Sequence, residues 1–464
     1  MDTTTFDAIV IGSGQAGPFL AVRLAEAGLR TALIEREHLG GTCVNDGCIP
    51  TKTLVASARA AFVARRASDW GVTVGGPVGV DMAAVKARKD RVVAQSVDGL
   101  AKWLAGVKGL SLIWGHARFT GPHSVRAGEQ VLTAPRIFIN TGGRALLPDW
   151  PGIAEVPVLT NTSMMAIDRL PEHLVVIGGS YIGLEFAQMY RRFGAQVTVL
   201  ELGERLIARE DPEVSREVQN ILEAEGVRFH LGVRAAKVSR PAPERMRVSL
   251  SAGGVAHEVD GSHLLAAIGR RPNTDDLGLA QAGIRTDARG TIVVDDQLQT
   301  SVSGVWALGD VNGHGAFTHT SYNDHEIVAA NLLDGATRRL SDRVPAYALF
   351  TDPPLGRCGQ TEAEVRASGR PALVGTLPMA RVGRARERGE TAGFMKVLVD
   401  AQTERILGAS LLGIECDEAV HVLLDAMVAG ISYKVLRDAM HIHPTVSELI
   451  PTLLAQLSPL AATP

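Results

Sequence analysis

Two cysteines and a lysine lie close together near the start of the chain, in the segment GGTCVNDGCIPTK, at Cys43, Cys48 and Lys52. The chain has 464 residues but only four cysteines. Two thiols are too few ligands for a zinc or iron–sulfur site, so we expect no metal centre. A structural disulfide across so short a loop would remove little chain entropy. The pair therefore indicates a disulfide that cycles between its oxidised and reduced forms.

The residues around the second cysteine favour a thiolate. The sequence predicts a helix that begins near Pro50, a residue type favoured in a first turn. Cys48 would then lie beside the helix N-terminus, whose dipole stabilises negative charge. Lys52, one turn along the same face, adds positive charge nearby. Asp46, between the cysteines, should instead disfavour the thiolate and anionic substrates, and favour cationic ones.

The elements that must position this pair begin with two similar segments, 7–37 and 173–201. Each has a short β-branched run, a glycine turn, an amphipathic helix and a second apolar run that ends in a glutamate. Such runs are typical of buried parallel strands. Two copies with matched spacing predict two dinucleotide-binding βαβ units.

The glycine spacing of the first copy has a definite physical role. Gly12 permits the tight turn, Gly14 lets the backbone approach a pyrophosphate, and Gly17 lets helix and strand pack closely. The helix N-terminus presents its N–H groups to the phosphates. Glu35, at the end of the next strand, can accept hydrogen bonds from ribose hydroxyls.

The second copy has a serine at its middle position, in the pattern formed by Gly178, Ser180 and Gly183. Because serine is small, we expect a working site. Glu201 favours NADH, since a carboxylate would repel the 2′-phosphate of NADPH, but Arg205 could receive that phosphate. Two dinucleotide sites imply a flavin nucleotide and a nicotinamide, with the cysteines as a third redox partner.

The cysteine segment resembles the active-site signature of the pyridine nucleotide-disulfide oxidoreductases, which include dihydrolipoamide dehydrogenase, glutathione reductase and mercuric reductase. The segment VWALGDVNG resembles the second FAD segment of that family, INTGGRALLP and AAIGRRPNT resemble its domain-crossing segments, and HIHPTVSE resembles its C-terminal signature. The resemblance covers nearly the whole chain. It implies an α/β fold with two Rossmann-like dinucleotide-binding domains, for FAD and NAD(P), and a C-terminal α+β dimerisation domain.

By this resemblance, Cys48 is the sulfur next to the flavin and Cys43 is the sulfur that attacks a substrate disulfide. NAD(P)H would reduce the flavin, and the flavin would reduce the Cys43–Cys48 disulfide. His443 resembles the acid–base histidine of the family, and Glu448 resembles the carboxylate that orients it. In this family the histidine reaches the cysteines of the other subunit, so the resemblance implies a homodimer with a shared active site.

The resemblance also implies residues that contact the cofactors. Tyr181 resembles the aromatic gate over the nicotinamide pocket, and Glu185 resembles the carboxylate that pairs with Lys52. We expect FAD, bound tightly without a covalent bond, and NADH or NADPH to contact Gly12, Gly14, Gly17, Glu35, Gly41, Thr42, Lys52, Ala117, Thr141, Gly142, Gly178, Ser180, Tyr181, Gly183, Glu201, Gly269 and Asp310.

Turn-rich stretches predict where the domains join. We place the FAD-binding domain at residues 1–150 and 271–340, the NAD(P)-binding domain at 151–270, and the interface domain at 341–464. The interface domain should bury an apolar face against its dimer mate.

The substrate is left open by the sequence. Glutathione reductases of this family carry an arginine where Val22 stands, and mercuric reductases carry a vicinal cysteine pair near the C-terminus, which is absent from this chain. The C-terminal signature fits dihydrolipoamide dehydrogenase, whereas Ser180 and the segment TDPPLGRCGQTEAEVR resemble the mercuric-reductase-like branch. We predict a flavin-dependent reductase of a small disulfide. The alternatives are a mercuric, copper or oxidant-stress reductase, a dihydrolipoamide dehydrogenase, and a docking subunit.

The composition excludes other function classes. A net charge of −3 gives no basic face for nucleic acid and no polybasic membrane anchor. The sequence has no run of 18 apolar residues, so it predicts no transmembrane helix. A secretory signal begins with positively charged residues, but no Lys or Arg precedes Arg23. We therefore expect a cytoplasmic protein.

Overall fold

The computed structural model describes residues 3–461. Residues 1, 2 and 462–464, which the predicted first and third domains include, lie outside the described residues. The described strands are β1 (Thr3–Thr5), β2 (Ala8–Ile11), β3 (Thr31–Glu35), β4 (Leu110–Trp114), β5 (Ala117–Gly121), β6 (Ser124–Ala127), β7 (Gln130–Thr133), β8 (Arg136–Ile139), β9 (Gly143–Ala145), β10 (Val158–Leu159), β11 (His173–Ile177), β12 (Gln196–Leu200), β13 (Arg228–His230), β14 (Arg234–Ala242), β15 (Arg245–Ala252), β16 (Val255–Gly261), β17 (His263–Ala266), β18 (Arg270–Pro272), β19 (Val305–Ala307), β20 (Ala346–Leu349), β21 (Leu355–Gly359), β22 (Ala372–Pro378), β23 (Phe394–Asp400), β24 (Ile406–Leu412) and β25 (Ser458–Pro459). The described α-helices are α1 (Gly17–Glu26), α2 (Gly41–Asn45), α3 (Cys48–Arg65), α4 (Met82–Ala105), α5 (Asn161–Met164), α6 (Tyr181–Phe193), α7 (Pro212–Ala224), α8 (Leu279–Ala282), α9 (Thr318–Leu333), α10 (Glu362–Ala367), α11 (Gly383–Glu387), α12 (Cys416–Ala419), α13 (His421–Ala429), α14 (Tyr433–Arg437) and α15 (Ile450–Ala455).

The first parallel sheet has the strand order β19-β8-β2-β3-β4. Every residue of β2 and β3 is buried, as expected for apolar strands covered on both faces. Helix α1 begins directly after the glycine turn that follows β2, the central strand. Its N-terminus therefore lies at the carboxyl edge of the sheet, where ligands bind in folds of this kind.

The second parallel sheet has the order β10-β17-β11-β12-β13. Its unit β11-α6-β12 has the same arrangement as β2-α1-β3, because each has a glycine turn after a central strand and a parallel partner strand next in sequence. The repeat in the sequence is thus a repeat in the structure. An antiparallel sheet of β14, β15 and β16 follows in the same part of the chain.

The C-terminal sheet is antiparallel, in the order β20-β21-β24-β23-β22-β25. Its apolar side packs on a core shared with α13 and α15. The main sheets therefore draw on separate stretches of sequence, with β19 returning to the first sheet after the second is complete. This arrangement supports the division at residues 150, 270 and 340, which stays a prediction.

One helix begins at a different residue from the sequence expectation. Helix α3 begins at Cys48 rather than near Pro50, because the N–H of Thr51 already donates to the carbonyl of Gly47 at 3.0 Å. Pro50 lies in the first turn, where its missing N–H costs no hydrogen bond. The helical run after Cys416 is divided into α12 and α13. Within residues 3–461, no helix is long and apolar enough to cross a membrane.

Close backbone contacts explain the glycines of the first turn. Gly12 has φ +98°, and a Cβ there would lie 2.4 Å from the carbonyl oxygen of Asn140. A Cβ on Gly17 would lie 2.0 Å from the carbonyl oxygen of Gly12. The side-chain oxygen of Asn140 accepts a hydrogen bond from the Gly17 N–H at 3.0 Å. The turn therefore packs backbone against backbone and excludes any side chain.

Gly17→Ala should destabilise the fold by about 1–3 kcal/mol, because the new methyl group meets backbone that cannot move aside freely. Gly99, inside α4, is the matched control, since a Cβ there meets no atom within 4 Å. Gly99→Ala should stabilise by about 0.5–1 kcal/mol through helix propensity. Denaturant midpoints of the purified variants measure both effects, and a Gly17→Ala midpoint equal to that of wild type contradicts the packing argument.

Candidate active site

One cavity of about 850 Å³ extends from the first glycine turn to the two cysteines. Its volume falls in the range of pockets that bind cofactors. The predicted site residues that line it are Gly12, Gly14, Glu35, Gly41, Thr42, Cys43, Cys48, Lys52, Ala117, Thr141, Gly142, Tyr181, Glu185 and Asp310. The predicted residues outside its lining are Gly17, Gly178, Ser180, Gly183, Glu201, Gly269, His443 and Glu448.

The carboxylate of Glu35 is fixed at the end of β3 by backbone N–H groups. One of its oxygens accepts hydrogen bonds from the N–H and hydroxyl of Ser13, at 2.9 and 2.6 Å. The other accepts from the N–H groups of Arg36 and Glu37, at 2.7 and 2.8 Å. A negative charge therefore lies at the strand end beside the glycine turn, as a ribose-binding carboxylate requires.

A partly buried ion pair lies further along the cavity wall, between Arg270 and Asp310. The Nε of Arg270 is 3.3 Å from the Asp310 carboxylate, and burial raises the pKa of that carboxyl group, while Arg270 opposes the shift. Among the described residues, this Nε has no hydrogen-bond partner. The glycine turn at a helix N-terminus, the Glu35 carboxylate and this unpartnered donor are a polar set that fits a flavin dinucleotide.

The second glycine turn has the same backbone geometry as the first. Gly178 has φ +109°, and a Cβ there would lie 2.4 Å from the carbonyl oxygen of Ala267. Ser180 is the N-cap of α6 in extended backbone, so its side chain needs no special conformation. The Glu201 carboxylate accepts hydrogen bonds from the N–H groups of Gly179 and Gly203, both at 2.6 Å. Glu201 thus corresponds in position to Glu35.

The two cysteines are free thiols at the junction of α2 and α3. Cys43 lies within α2 and is partly buried, whereas Cys48 is the first residue of α3 and is exposed. The Sγ of Cys48 is 3.1 Å from the hydroxyl of Thr318, the first residue of α9. The thiol pair is therefore held by helix N-termini from two separate parts of the chain.

The pKa values of the two thiols are shifted in opposite directions. The pKa of Cys48 is lowered to about 6, mainly by a hydrogen bond from Cys43 and further by Thr318 and Lys52, which outweigh the loss of hydration in the cavity wall. The pKa of Cys43 is raised by that same hydrogen bond, by burial and by the Cys48 charge. In the dithiol form, Cys48 therefore carries the negative charge and Cys43 keeps the proton.

An ion pair couples this thiol pair to α6. The Nζ of Lys52 donates to the Glu185 carboxylate at 2.6 Å, and only 6% of the Glu185 side chain is exposed. The other Glu185 oxygen accepts a hydrogen bond from the N–H of Phe350 at 3.0 Å. Lys52 also lies over the Phe350 ring, 4.6 Å from its centroid. The predicted pairing of Lys52 with Glu185 is present in the structure.

Asp46 contacts α5 rather than the thiols. Its carboxylate accepts a hydrogen bond from the hydroxyl of Thr162, and its carbonyl accepts one from the side chain of Asn161 at 3.0 Å. The main influences on the pKa values of Cys43 and Cys48 come from other groups. The expected effect of Asp46 on the thiolate is thus not among the leading influences, and its effect on substrate charge stays a prediction.

His443 and Glu448 form a hydrogen-bonded pair on the C-terminal part of the chain. The Nδ1 of His443 is 2.7 Å from the Glu448 carboxylate, and 78% of the histidine side chain is exposed. Bonding at Nδ1 fixes the ring tautomer and leaves Nε2 free to exchange a proton. The pair does not line the cavity of its own chain. This position is expected of a residue that acts in the active site of another subunit.

The sequence expectation missed Thr318 and Arg270. Thr318 stands eight residues after Asp310, in a stretch that also contains His314, His319 and His325. Within residues 3–461, no group of three or more His, Cys, Asp or Glu side chains is arranged to hold a metal ion. Because Thr318 is far from the cysteines in sequence, its position at the start of a helix was the one feature that could have indicated a role in the site.

Comparisons with known proteins agree with this geometry. Residues 6–325 match the family model described as pyridine nucleotide-disulphide oxidoreductase, and residues 345–454 match the dimerisation domain of that family. The chain belongs to the pyridine nucleotide-disulfide oxidoreductase family. Members of this family use FAD and NAD(P)H, so the predicted α/β fold, flavin-dependent oxidoreductase activity and cofactors are confirmed. The dimerisation domain supports assembly as a homodimer.

Relatives of several kinds resemble the chain over almost its full length. A probable pyridine nucleotide-disulfide oxidoreductase of Escherichia coli K12, RclA, is 38% identical and covers 97% of this chain and 99% of its own. A mercuric reductase of Streptomyces lividans is 34% identical, with 96% and 95% covered. The solved structure of RclA, described as an HOCl-induced flavoprotein disulfide reductase, has a TM-score of 0.88 at 37% identity and covers 97% of this chain and 99% of its own. A Cu(II) complex of RclA has the same TM-score and identity, with 98% and 99% covered.

The lowered pKa of Cys48 predicts how this oxidoreductase reacts with alkylating agents. In the reduced protein, the Cys48 thiolate should be present above about pH 6 and lost as the pH falls through that value. The rate of Cys48 alkylation by iodoacetamide, followed by peptide mass spectrometry, should therefore have a midpoint near pH 6. Thr318→Val removes a stabilising hydrogen bond, so the midpoint should rise.

Cys358→Ser is the control for this titration, because burial raises the pKa of Cys358 to about 12. It should leave the Cys48 midpoint unchanged. A wild-type midpoint near the ordinary thiol value would contradict the assignment of the charge to Cys48.

Proposed function

We propose that the chain is an NAD(P)H-driven reductase in which Cys43 and Cys48 pass electrons to a small disulfide. The observation that carries this proposal is the pair of free thiols in the wall of the cavity, with the pKa of Cys48 lowered to about 6. When bound, FAD supplies the transfer of an electron pair from NAD(P)H to the Cys43–Cys48 disulfide. The protein residues supply binding, orientation and proton exchange.

The proposed cofactor contacts follow the two glycine turns. For FAD these are Gly12, Gly14, Gly17, Glu35, Gly41, Thr42, Lys52, Ala117, Thr141, Gly142 and Asp310, with Arg270 added from the geometry. For the nicotinamide nucleotide they are Gly178, Ser180, Tyr181, Gly183, Glu201 and Gly269. We assign the first set to a domain of residues 1–150 and 271–340, and the second to residues 151–270. Glu201 supports a preference for NADH, which Arg205 would weaken.

The oxidative half of the reaction follows from the asymmetry of the thiols. Cys43 gives up its proton and attacks one sulfur of the substrate, which breaks the substrate disulfide and releases a thiol that takes up a proton. Cys48, already a thiolate near neutral pH, then attacks Cys43 in the mixed disulfide. The Cys43–Cys48 disulfide forms again, and the second half of the substrate leaves as a thiolate that takes a proton from water. One disulfide is reduced and one is formed, so the electrons balance.

His443 of one subunit is proposed to exchange these protons at the Cys43 of the other, with Glu448 fixing its tautomer. The exposure of His443 and its position outside its own cavity support this arrangement. Large apolar side chains near it also support burial against a second copy, since Met440 is 98% exposed and Ile442 is 79% exposed. We assign residues 341–464 to this interface.

A second candidate acceptor is Cu(II). The relative RclA has been solved as a Cu(II) complex, which supports testing this metal ion as a substrate here. A dithiol that becomes a disulfide releases two electrons, which would reduce two Cu(II) ions to Cu(I), and thiolates are soft ligands that suit Cu(I). For either acceptor we propose a cytoplasmic setting, where NAD(P)H can keep this disulfide reduced.

A panel of acceptors tests the proposal. NADH- and NADPH-driven turnover is measured with lipoamide, glutathione disulfide, other small disulfides, Cu(II), Hg(II) and quinones. At least one small disulfide should support turnover, and Cys43→Ser or Cys48→Ala should lower it by about 10³-fold or more, as loss of a nucleophile does. Turnover with Cu(II) but with no disulfide selects the second candidate.

Cys416→Ser is the matched control for the panel, because this cysteine is buried far along the chain and burial raises its pKa. It should leave turnover unchanged. Turnover of a disulfide that survives both Cys43→Ser and Cys48→Ala overturns the proposed role of the pair.

Mixed dimers test whether subunits share the active site. Cys48→Ala and His443→Gln chains, each inactive alone, are co-expressed with different tags. If the histidine serves the other subunit, each mixed dimer has one intact site, so a random mixture should recover about a quarter of wild-type activity. No recovery in the isolated mixed dimers contradicts sharing.

A further inference from the structure

A buried glutamate outside the proposed reaction path binds two tyrosines of the cavity wall. Glu210 follows β12, and its side chain has no solvent exposure. One of its oxygens accepts hydrogen bonds from the hydroxyl of Tyr181 at 3.1 Å and from the hydroxyl of Tyr347 at 2.7 Å. Both tyrosines line the cavity that contains the cysteines. A single carboxylate oxygen therefore joins the start of α6 to β20.

The counter-charge of this glutamate is also buried. Arg357, in β21, has a side chain only 2% exposed, and its Nε lies 3.7 Å from the second oxygen of Glu210. Its Nη1 donates to the hydroxyl of Ser410 at 2.7 Å. Among the described residues, the Nε and Nη2 of Arg357 and the second oxygen of Glu210 have no hydrogen-bond partner. These donors are available to the carboxylate if it turns towards them.

The ring of Tyr181 is packed edge-on against other aromatic rings. It meets Phe317 at 6.1 Å between centroids and Tyr347 at 5.6 Å, with interplanar angles of 85° and 88°. Burial and the Glu210 charge raise the pKa of both tyrosines, to about 12 for Tyr347. Both hydroxyls therefore stay protonated and donate to Glu210 at neutral pH. Tyr181 is thus fixed by its ring packing and by one charge-assisted hydrogen bond.

We propose that Glu210 is a positioning residue whose hydrogen bond holds the Tyr181 side chain in a closed position, and that NAD(P)H must break this hydrogen bond to bind. The inference rests on the proposed function, in which Tyr181 is one of the contacts of the nicotinamide nucleotide. Glu210 touches neither cofactor nor substrate and acts through Tyr181.

The contact should set the apparent affinity for NAD(P)H. In the open form, Tyr181 has left Glu210. For a ligand that binds only this form, the apparent Kd equals the intrinsic Kd divided by the fraction of molecules that are open. When Tyr181 leaves, Glu210 loses one donor, and the free N–H groups of Arg357 can replace it. The replacement donors lower the free energy needed to move Tyr181 away from Glu210. The loss of a charge-assisted hydrogen bond still makes this movement unfavourable.

The reduction of the FAD-loaded enzyme by NADH, followed by stopped flow, tests the proposal. Glu210→Gln replaces a charged acceptor with a neutral one, so the apparent Kd for NADH should fall by about fivefold, the usual difference between such bonds. Tyr181→Phe removes the donor and should lower the apparent Kd as well. In the double variant, Glu210→Gln should have no further effect, because the contact is already absent.

Tyr190→Phe is the matched control, since Tyr190 lies on the same helix and is buried among apolar residues. It should leave the apparent Kd unchanged. The inference is overturned if Glu210→Gln changes the apparent Kd equally with and without Tyr181, or leaves it unchanged. A wild-type enzyme that NADH does not reduce contradicts the proposed function instead.

Tyr347→Phe provides a second route if Glu210→Gln does not fold, because it keeps the buried charge in place. It leaves the shared oxygen to Tyr181 alone, so the remaining bond should strengthen and the apparent Kd for NADH should rise. The rise should vanish in the Tyr181→Phe background. A rise that persists there overturns the inference.

Discussion

The ion pair of Lys52 and Glu185 is the interaction on which the active site depends. It joins α3, which carries Cys48, to α6, which begins at the second glycine turn, and the same carboxylate binds the backbone of Phe350 next to β20. Three distant stretches of sequence therefore meet at one buried carboxylate. Removing Lys52 would leave the buried Glu185 carboxylate without its counter-charge, which costs more than the pair itself contributes to stability.

The Cys48 thiolate is stabilised by a small number of groups that lie close to it. Cys48 is stabilised as a thiolate by a neutral thiol, a hydroxyl and one ammonium group, each from a different turn of the chain. The same site holds Cys43 in its protonated form. Adjacent carboxylates such as Asp46 are engaged elsewhere, by Thr162 of α5. The asymmetry of the thiols is therefore a property of their partners and not of the cysteines themselves.

Much of the fold could be predicted because it rests on local backbone constraints. Gly12 and Gly178 each need a positive φ and a close backbone contact, which only glycine allows, so the two units could be recognised from spacing. Cys43, Cys48 and Lys52 lie within one short segment, so their proximity was also predictable. Thr318 and Arg270 were not, because they reach the site by strand order and helix packing, which leave no mark in local spacing.

The sequence by itself determined the two glycine turns, the carboxylates that follow them, the thiol pair and the family resemblance, since each depends on residues close together in the chain. Only the tertiary structure decided that Thr318 and the proton on Cys43 help to hold the charge on Cys48, and that Glu210 holds Tyr181. Those properties depend on contacts that the chain makes only when folded, such as Cys48 with Thr318 and Tyr347 with Glu210, whose residues are more than a hundred positions apart. In a buried setting the partner, more than the residue type, sets the pKa and the strength of each hydrogen bond.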